Sequence, residues 1–512
     1  MAAARNVDLP PMSSAEPDLA GREARARLTR GEALFLLAAV LVCRVVAIRA
    51  CPIYDDAFIT YRYARNFAAG DGLVFNPNAP WEPILGTTTP AYALLMSAFA
   101  RFSIDLPAAS RAVNVVCDLA SAWLLLSMLE FRRVAATAAI LCFAVLPQLV
   151  RISMGGMEAP LFALLALSAC AALERGRART AGAFAAATCV VRPEGVLLVG
   201  LLALACARNR RELARFLLPV VIIGAATMAL LLASYGDIVP QSVHAKSQMH
   251  GGPVLSETLA RWKTILAQSF APHVAYLALL PFVLIGLRDV LARRDAARRF
   301  SLFALAMTAS YLAARPHTWG WYFYVPLVAW CVWLGAGIER VLPWIAGRFG
   351  SMATRIARLV EPTALVGAAI VAATLVSWKL PTRVPQRVYA PMQIWAHATS
   401  KLHPSARILA SDIGAIASAW SGTVLDSEGL TWPEALRYAH PNDMISGARP
   451  EYVMVVAERA RMEHFLAAGG PRTMYEPIAR FSVDGATDLE PDLDHVSPTW
   501  VQDYLVYRRI DL

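Results

Sequence analysis

The sequence predicts a polytopic α-helical membrane protein that ends in a soluble α/β domain. Three observations carry this reading. Of 512 residues, 57% are hydrophobic and only 17% charged, with a mean hydropathy of +0.47; soluble domains rarely reach that balance. Apolar runs recur from residue 33 onward, parted by short arginine-rich loops. After residue 379 the runs stop, and Gly, Pro and Asp become frequent.

Residues 1–32 are polar, with Pro10, Pro11, Pro17 and several arginines, and read as a disordered cytoplasmic tail. No small-residue cleavage site precedes the first loop, so a cleavable signal peptide is not expected. The membrane domain, 33–378, holds about eleven candidate helices, at 33–48, 109–129, 134–150, 159–174, 181–191, 194–206, 216–234, 274–287, 300–314, 321–338 and 362–378. Residues 90–102 are also apolar. Counting them as a span would invert every later loop, so they are placed as a juxtamembrane helix. The run 181–206 is split at Arg192-Pro193-Glu194, because proline disfavours a helical residue before it. The clusters around Arg22, Arg132, Arg175, Arg208, Arg293 and Arg340 then share one side, which the positive-inside rule makes cytoplasmic. The 51–90 loop, the 235–273 loop and the domain 379–512 face outward. In that domain, 407–410 and 452–456 read as strands, and its size is normal for one domain.

Metal and nucleic-acid chemistry find no pattern here. The eight cysteines lie mostly in apolar runs without paired spacing, which indicates neither a disulfide framework nor a zinc site. His244, His250, His273 and His317 form no tight ligand pair. The run Asp488, Glu490, Asp492, Asp494 reads as a solvated acidic surface. A divalent metal is compatible with the chain but not indicated, and no nucleic-acid partner is expected. Arg44 lies inside the first helix, facing an internal cavity or snorkelling outward.

The informative stretch is the first external loop, 51–90. Asp55 and Asp56 follow the first apolar run by a few residues, amid Tyr54, Phe58, Tyr61, Tyr63, Phe67, Phe75 and Trp81. A carboxylate pair there is costly to desolvate, and burial together with a like charge raises a carboxyl pKa. That suits a general base taking a proton from a hydroxyl. The plainer alternative is a helix N-cap. Fixed cations expected on the same side are Arg62, Arg192, Lys246 and Arg315, each of which could instead snorkel. Glu82, Glu158 and Glu194 are the further candidate carboxylates, and Glu158 could simply stabilise a helix N-terminus.

The loop DDAFITYRYARNFAAGDGLVFNP, with Glu82 and TTTP after it, resembles the first external loop of GT-C membrane glycosyltransferases. It is most similar to the bacterial arabinofuranosyltransferase-like branch. Gly155-Gly156-Met157-Glu158, Arg192-Pro193-Glu194-Gly195, Tyr235-Gly236-Asp237-Ile-Val-Pro240 with Lys246, and Trp321-Tyr-Phe-Tyr324-Val-Pro326 resemble further motifs of that family. So do Asp412-Ile-Gly414-Ala and Val424-Leu-Asp426 in the outer domain. Gln241 and Tyr322 stand where the family has Asn and Arg. The resemblance implies a GT-C fold in a bacterial inner membrane and an inverting transfer from a polyprenyl-phosphate sugar. The acceptor would be a polysaccharide, lipid or protein, reached from outside. Asp55 matches the catalytic base with Asp56 beside it. The cations and carboxylates named above, with Tyr324, are then expected donor and acceptor contacts, and no cofactor is required. A transporter, which would place ionisable groups at the midplane and often shows inverted repeats, and a polysaccharide-binding scaffold remain the alternatives.

Overall fold

A computed structural model of the chain describes residues 27–77, 79–249, 254–270, 279–349, 384–456, 474–482 and 503–511. Most of the expected tail, the expected helix 362–378 and the acidic run near 490 lie outside the described residues.

Helix α1 (Arg30–Ile48) begins at a capping box. Thr29 accepts from the Glu32 amide, and the Glu32 carboxylate accepts from the Thr29 amide. The loop that follows folds as α2 (Asp55–Ala69), which Gly70 ends at φ +98°. Residues 90–102 form α3 (Pro90–Arg101), packed on α2. Then come α4 (Leu106–Met128), α5 (Arg133–Val145) and α6 (Pro147–Met154). The expected single span 134–150 is instead a pair bent by 56° at Pro147.

The bend has a physical account. Pro147 has no N–H, so the Phe143 carbonyl loses its helical partner. Arg44 from α1 supplies donors, with Nη2 3.1 Å from the Phe143 oxygen and Nη1 2.9 Å from that of Ala144. Its Nε lies 2.5 Å from Asp118 on α4, whose carboxylate also accepts from the hydroxyls of Ser153 and Tyr324. Arg44 is fully buried in this network. It neither faces the cavity nor snorkels, because the broken helix and Asp118 take its donors.

Next are α7 (Ala159–Glu174), α8 (Ala178–Val191) and α9 (Gly195–Cys206). The split at Arg192-Pro193-Glu194 is present, with Arg192 extended at φ −151° and the two short helices packed on one another. Helix α10 (Arg210–Tyr235) buries only Phe216 and exposes Leu218, Val221, Ile222, Leu230 and Leu232, an apolar surface suited to lipid. Then follow α11 (Gln241–Met249), α12 (Leu255–Phe270), α13 (Leu280–Ala292), α14 (Ala296–Ala314), a 3₁₀ turn (Gly320–Phe323) and α15 (Tyr324–Phe349). Among the described residues four helices are long and apolar enough to cross a membrane, five if the bent pair is one span; α7, α8 and α9 are shorter apolar helices.

The arginine-rich turns meet at one end of this bundle. Arg133 pairs with Glu32, Arg132 with Glu339 at 3.6 Å, and Arg175 donates to Ser127 at 3.3 Å. The Ala296 amide donates to Glu174.

The C-terminal domain consists of α16 (Val384–Leu402), β1 (Ile408–Ala410), α17 (Ile413–Ala417), β2 (Val424–Asp426), α18 (Pro441–Ala448), β3 (Tyr452–Val456), β4 (Tyr475–Phe481) and β5 (Tyr504–Arg509). The sheet order is β2-β1-β3-β5-β4; the first three strands are parallel, and β5 and β4 pair antiparallel. Both expected strands are present, as β1 and β3. The core of this domain continues into the loop, with Tyr63 and Phe75 packed among its residues.

Candidate active site

A cavity of about 1100 Å³ lies where the loop, the membrane domain and the C-terminal domain meet. Asp55 and Asp56 reach it from the first turn of α2, Gln148 and Arg151 from α6, Lys246 from α11, and Asp412, Tyr389 and Tyr504 from the C-terminal domain. One wall is aromatic. Tyr54 sits 5.4 Å from Trp321, Trp321 stacks on Trp319 at 5.8 Å and 11°, and His317 lies 5.1 Å from Trp319.

The Asp55 carboxylate accepts from two backbone amides, Gly414 at 2.8 Å and Ala415 at 2.7 Å. Burial, then Asp412 and Asp56, push its pKa up to about 8 against the pull of those amides. Burial also raises Asp56, but Lys246 opposes it and the value stays at about 6. Burial disfavours the charged form of Lys246; Tyr322 and Asp56 outweigh that and raise its pKa. Lys246 is held in place through α11. The Gln241 amide donates to the Leu85 carbonyl at 2.9 Å, and its side chain to the Gly429 carbonyl at 3.2 Å. Asp412 accepts the Tyr504 hydroxyl at 2.8 Å. Gly155 permits the wall, since a Cβ there would lie 2.3 Å from the Tyr54 ring.

Of the expected site residues, Asp55, Asp56 and Lys246 line this cavity. The others have different positions. Arg62 is buried beneath the loop, donating to the carbonyls of Phe75 (2.7 Å), Ala417 (2.5 Å), Trp420 (2.5 Å) and Gly422 (2.9 Å). Among the described residues its guanidinium has no carboxylate partner, and burial lowers its pKa to about 9. Glu158, Arg192 and Glu194 form a buried cluster. Arg192 lies 2.6 Å from Glu158 and 2.8 Å from Glu194, Tyr311 donates to Glu194 at 2.7 Å, and the guanidinium sits 5.0 Å over the Tyr322 ring. The guanidinium is taken up by these two carboxylates instead of facing the cavity. Tyr324 belongs to the Asp118 network, Glu82 is exposed, and Arg315 terminates α14 in the left-handed region at φ +47°.

Gln148 and Arg151 carry no signal of a site in the sequence, because 134–150 reads as one apolar span. Pro147 was the signal that the chain turns there. Asp412 lies in the Asp412-Ile-Gly414-Ala motif, whose sequence does not say what it faces. Among the described residues no three His, Cys, Asp or Glu side chains converge as a metal site.

This architecture has solved counterparts. ArnT from Cupriavidus metallidurans bound to undecaprenyl phosphate matches with a TM-score of 0.59 at 12% identity, over 94% of this chain and 98% of that one. The Archaeoglobus fulgidus oligosaccharyltransferase in complex with Zn and sulfate matches at 0.50 and 14%, over 88% and 72%. The mycobacterial arabinofuranosyltransferase AftD matches at 0.50 and 17%, over 94% of this chain and 42% of that one. The fold is therefore that of the GT-C glycosyltransferases, polytopic helical membrane proteins. Residues 383–504 match the family described as Domain of unknown function (DUF8728). No curated protein matches the sequence.

Proposed function

We propose that this chain is an inverting glycosyltransferase that moves a sugar from a polyprenyl-phosphate donor to a cell-envelope acceptor at the outer face of a bacterial inner membrane. The observation that carries the reading is the convergence of a half-buried carboxylate pair with Lys246 and Arg151 in one cavity at the junction of the membrane and C-terminal domains. Carboxylates and cations gathered at one end of the bundle suit group transfer better than transport, which favours sites at the midplane.

In this reading Asp55 takes the proton of the acceptor hydroxyl. The hydroxyl oxygen forms a bond to the anomeric carbon as the bond from that carbon to the donor phosphate breaks. Lys246 and Arg151 receive the charge left on the phosphate, Lys as a point charge and Arg as a planar fork. Asp55 serves as base because it is both fixed by two amides and made strongly basic by burial. The reaction requires no cofactor. The acceptor is a polysaccharide, lipid or protein of the envelope. The arginine-rich end is cytoplasmic and the C-terminal domain is outside.

Purified protein incubated with a panel of radiolabelled polyprenyl-phosphate sugars should release the polyprenyl phosphate, and Asp55→Asn should do so about 10²–10⁴-fold more slowly. No release from any donor by the wild-type protein would end the enzyme reading. Exposed Ser421, changed to Cys, should label only from outside the cell; labelling only from the cytoplasm would reverse the topology.

A further inference from the structure

Helix α2 is fastened to the C-terminal domain at two points seven residues apart, two helical turns along one face. At the first, Asp55 holds the amides that open α17; at the second, Arg62 holds the carbonyls that close it and continue to Gly422. Beyond them Asn76 pairs with Val424 in both directions, accepting its amide at 3.0 Å and donating to its carbonyl at 2.8 Å. At the first point no side chain fits. A Cβ on Gly414 would lie 1.9 Å from the Asp55 carbonyl oxygen and 2.6 Å from its carboxylate. The groups facing Asp55 come from every side: Asp56 on its own helix, Asp412 at the head of α17, Tyr389 on α16 and Tyr504 on β5, with Lys246 on α11 facing Asp56.

We propose that the C-terminal domain, whose residues 383–504 match a family of unknown function, completes the catalytic site, and that Gly414 and Ala415 are positioning residues that hold the Asp55 carboxylate toward the acceptor. The base role of Asp55 rests on the glycosyltransferase reading; the positioning does not. A carboxylate at the start of a helix just past a membrane exit has several rotamers, and a base must be held within hydrogen-bond reach of the proton it takes. Each Asp55 oxygen spends one acceptor site on an amide and keeps another for the substrate. The domain thus supplies orientation through its backbone and leaves the reacting lone pairs free.

Ala415→Pro tests this, because Ala415 is the third residue of α17 and its amide bonds Asp55 rather than the helix. Infrared difference titration follows the Asp55 carboxyl, assigned by its loss in Asp55→Asn. Losing an amide that favours the ionised form should move the Asp55 titration up by about one to two pH units. The acid limb of turnover should move with it, with kcat falling at least tenfold and the donor KM little changed. The same substitution in the Asp55→Asn background should cost nothing further. Should Ala415→Pro fail to fold, hydrogen exchange at the 414 and 415 amides, compared between wild type and Asp55→Ala, reads the same contact from the other side and should accelerate in the variant. An unmoved Asp55 titration, equal losses in both backgrounds or unchanged exchange would overturn the proposal. A moved titration without transfer from any donor would uphold the positioning and sink the enzyme reading instead.

Discussion

Asp55 and Asp56 are neighbours in sequence with different surroundings. Asp55 is bonded by two amides and pushed up to about 8, whereas Asp56 faces Lys246 and stays near 6. Pairs of carboxyls driven apart in this way take different tasks. Asp55→Asn keeps the size but removes the basicity, so turnover should fall by about 10²–10⁴ with donor binding retained. Turnover in the wild type should rise with pH as Asp55 ionises. An Asp55→Asn enzyme within a few-fold of wild type would move the base elsewhere, with Asp56 the first to examine. Lys246→Ala should weaken donor binding by roughly 1.5–3 kcal/mol, one charged hydrogen bond. Equilibrium binding of a polyprenyl phosphate measures this, and unaltered affinity would remove Lys246 from the phosphate site.

At the scale of elements, two buried arginines hold the broken pieces of the fold together. Arg44 closes the α5–α6 bend by pairing with Asp118 and the carbonyls before Pro147. Arg44→Leu leaves Asp118 buried without its counter-charge, held only by the Ser153 and Tyr324 hydroxyls, which should cost about 3–5 kcal/mol. Unfolding in detergent should show that loss, and Arg44→Leu with Asp118→Leu should recover part of it; a double variant no better than the single would argue against the pair. Arg62 spans carbonyls of the loop and of the C-terminal domain with a planar fork that a lysine cannot reproduce. Arg62→Lys should therefore expose the C-terminal domain to limited proteolysis while the membrane domain stays intact. Wild-type resistance in Arg62→Lys would show that the fork is dispensable.

Across the whole molecule three carboxyls with raised pKa values set a pH dependence. Asp55 at about 8, Asp56 at about 6 and Asp426 at about 7 all lie above their ordinary value of 3.8, with burial the leading cause. The folded protein then keeps protons that the unfolded chain has already released. The stability these groups contribute is complete below about pH 4 and lost as pH rises through about 6 to 8. The thermal midpoint should accordingly fall between pH 5.5 and pH 8.5, and Asp426→Asn should flatten the part below about pH 7. A midpoint that rises over this range would contradict the assignment.

The sequence by itself determined the helical membrane class, the break at Arg192-Pro193-Glu194 and the change to an α/β domain. Each is a matter of hydropathy, proline geometry and strand-like runs, which act over a few residues of chain. It also made the Asp pair and Lys246 legible, because charges beside apolar runs are rarely left there without cause. It could not tell which cations meet the cavity. Arg192 and Arg62 look like Lys246 in the sequence, yet one is offset by Glu158 and Glu194 and the other by backbone carbonyls. Arg151 follows the apolar run 134–150 directly, and the bend at Pro147 places it at the cavity. Only the tertiary structure brought Gly414 and Ala415, some 360 residues along the chain, to the oxygens of Asp55. Contacts of that range depend on how whole domains dock, and no local pattern encodes them.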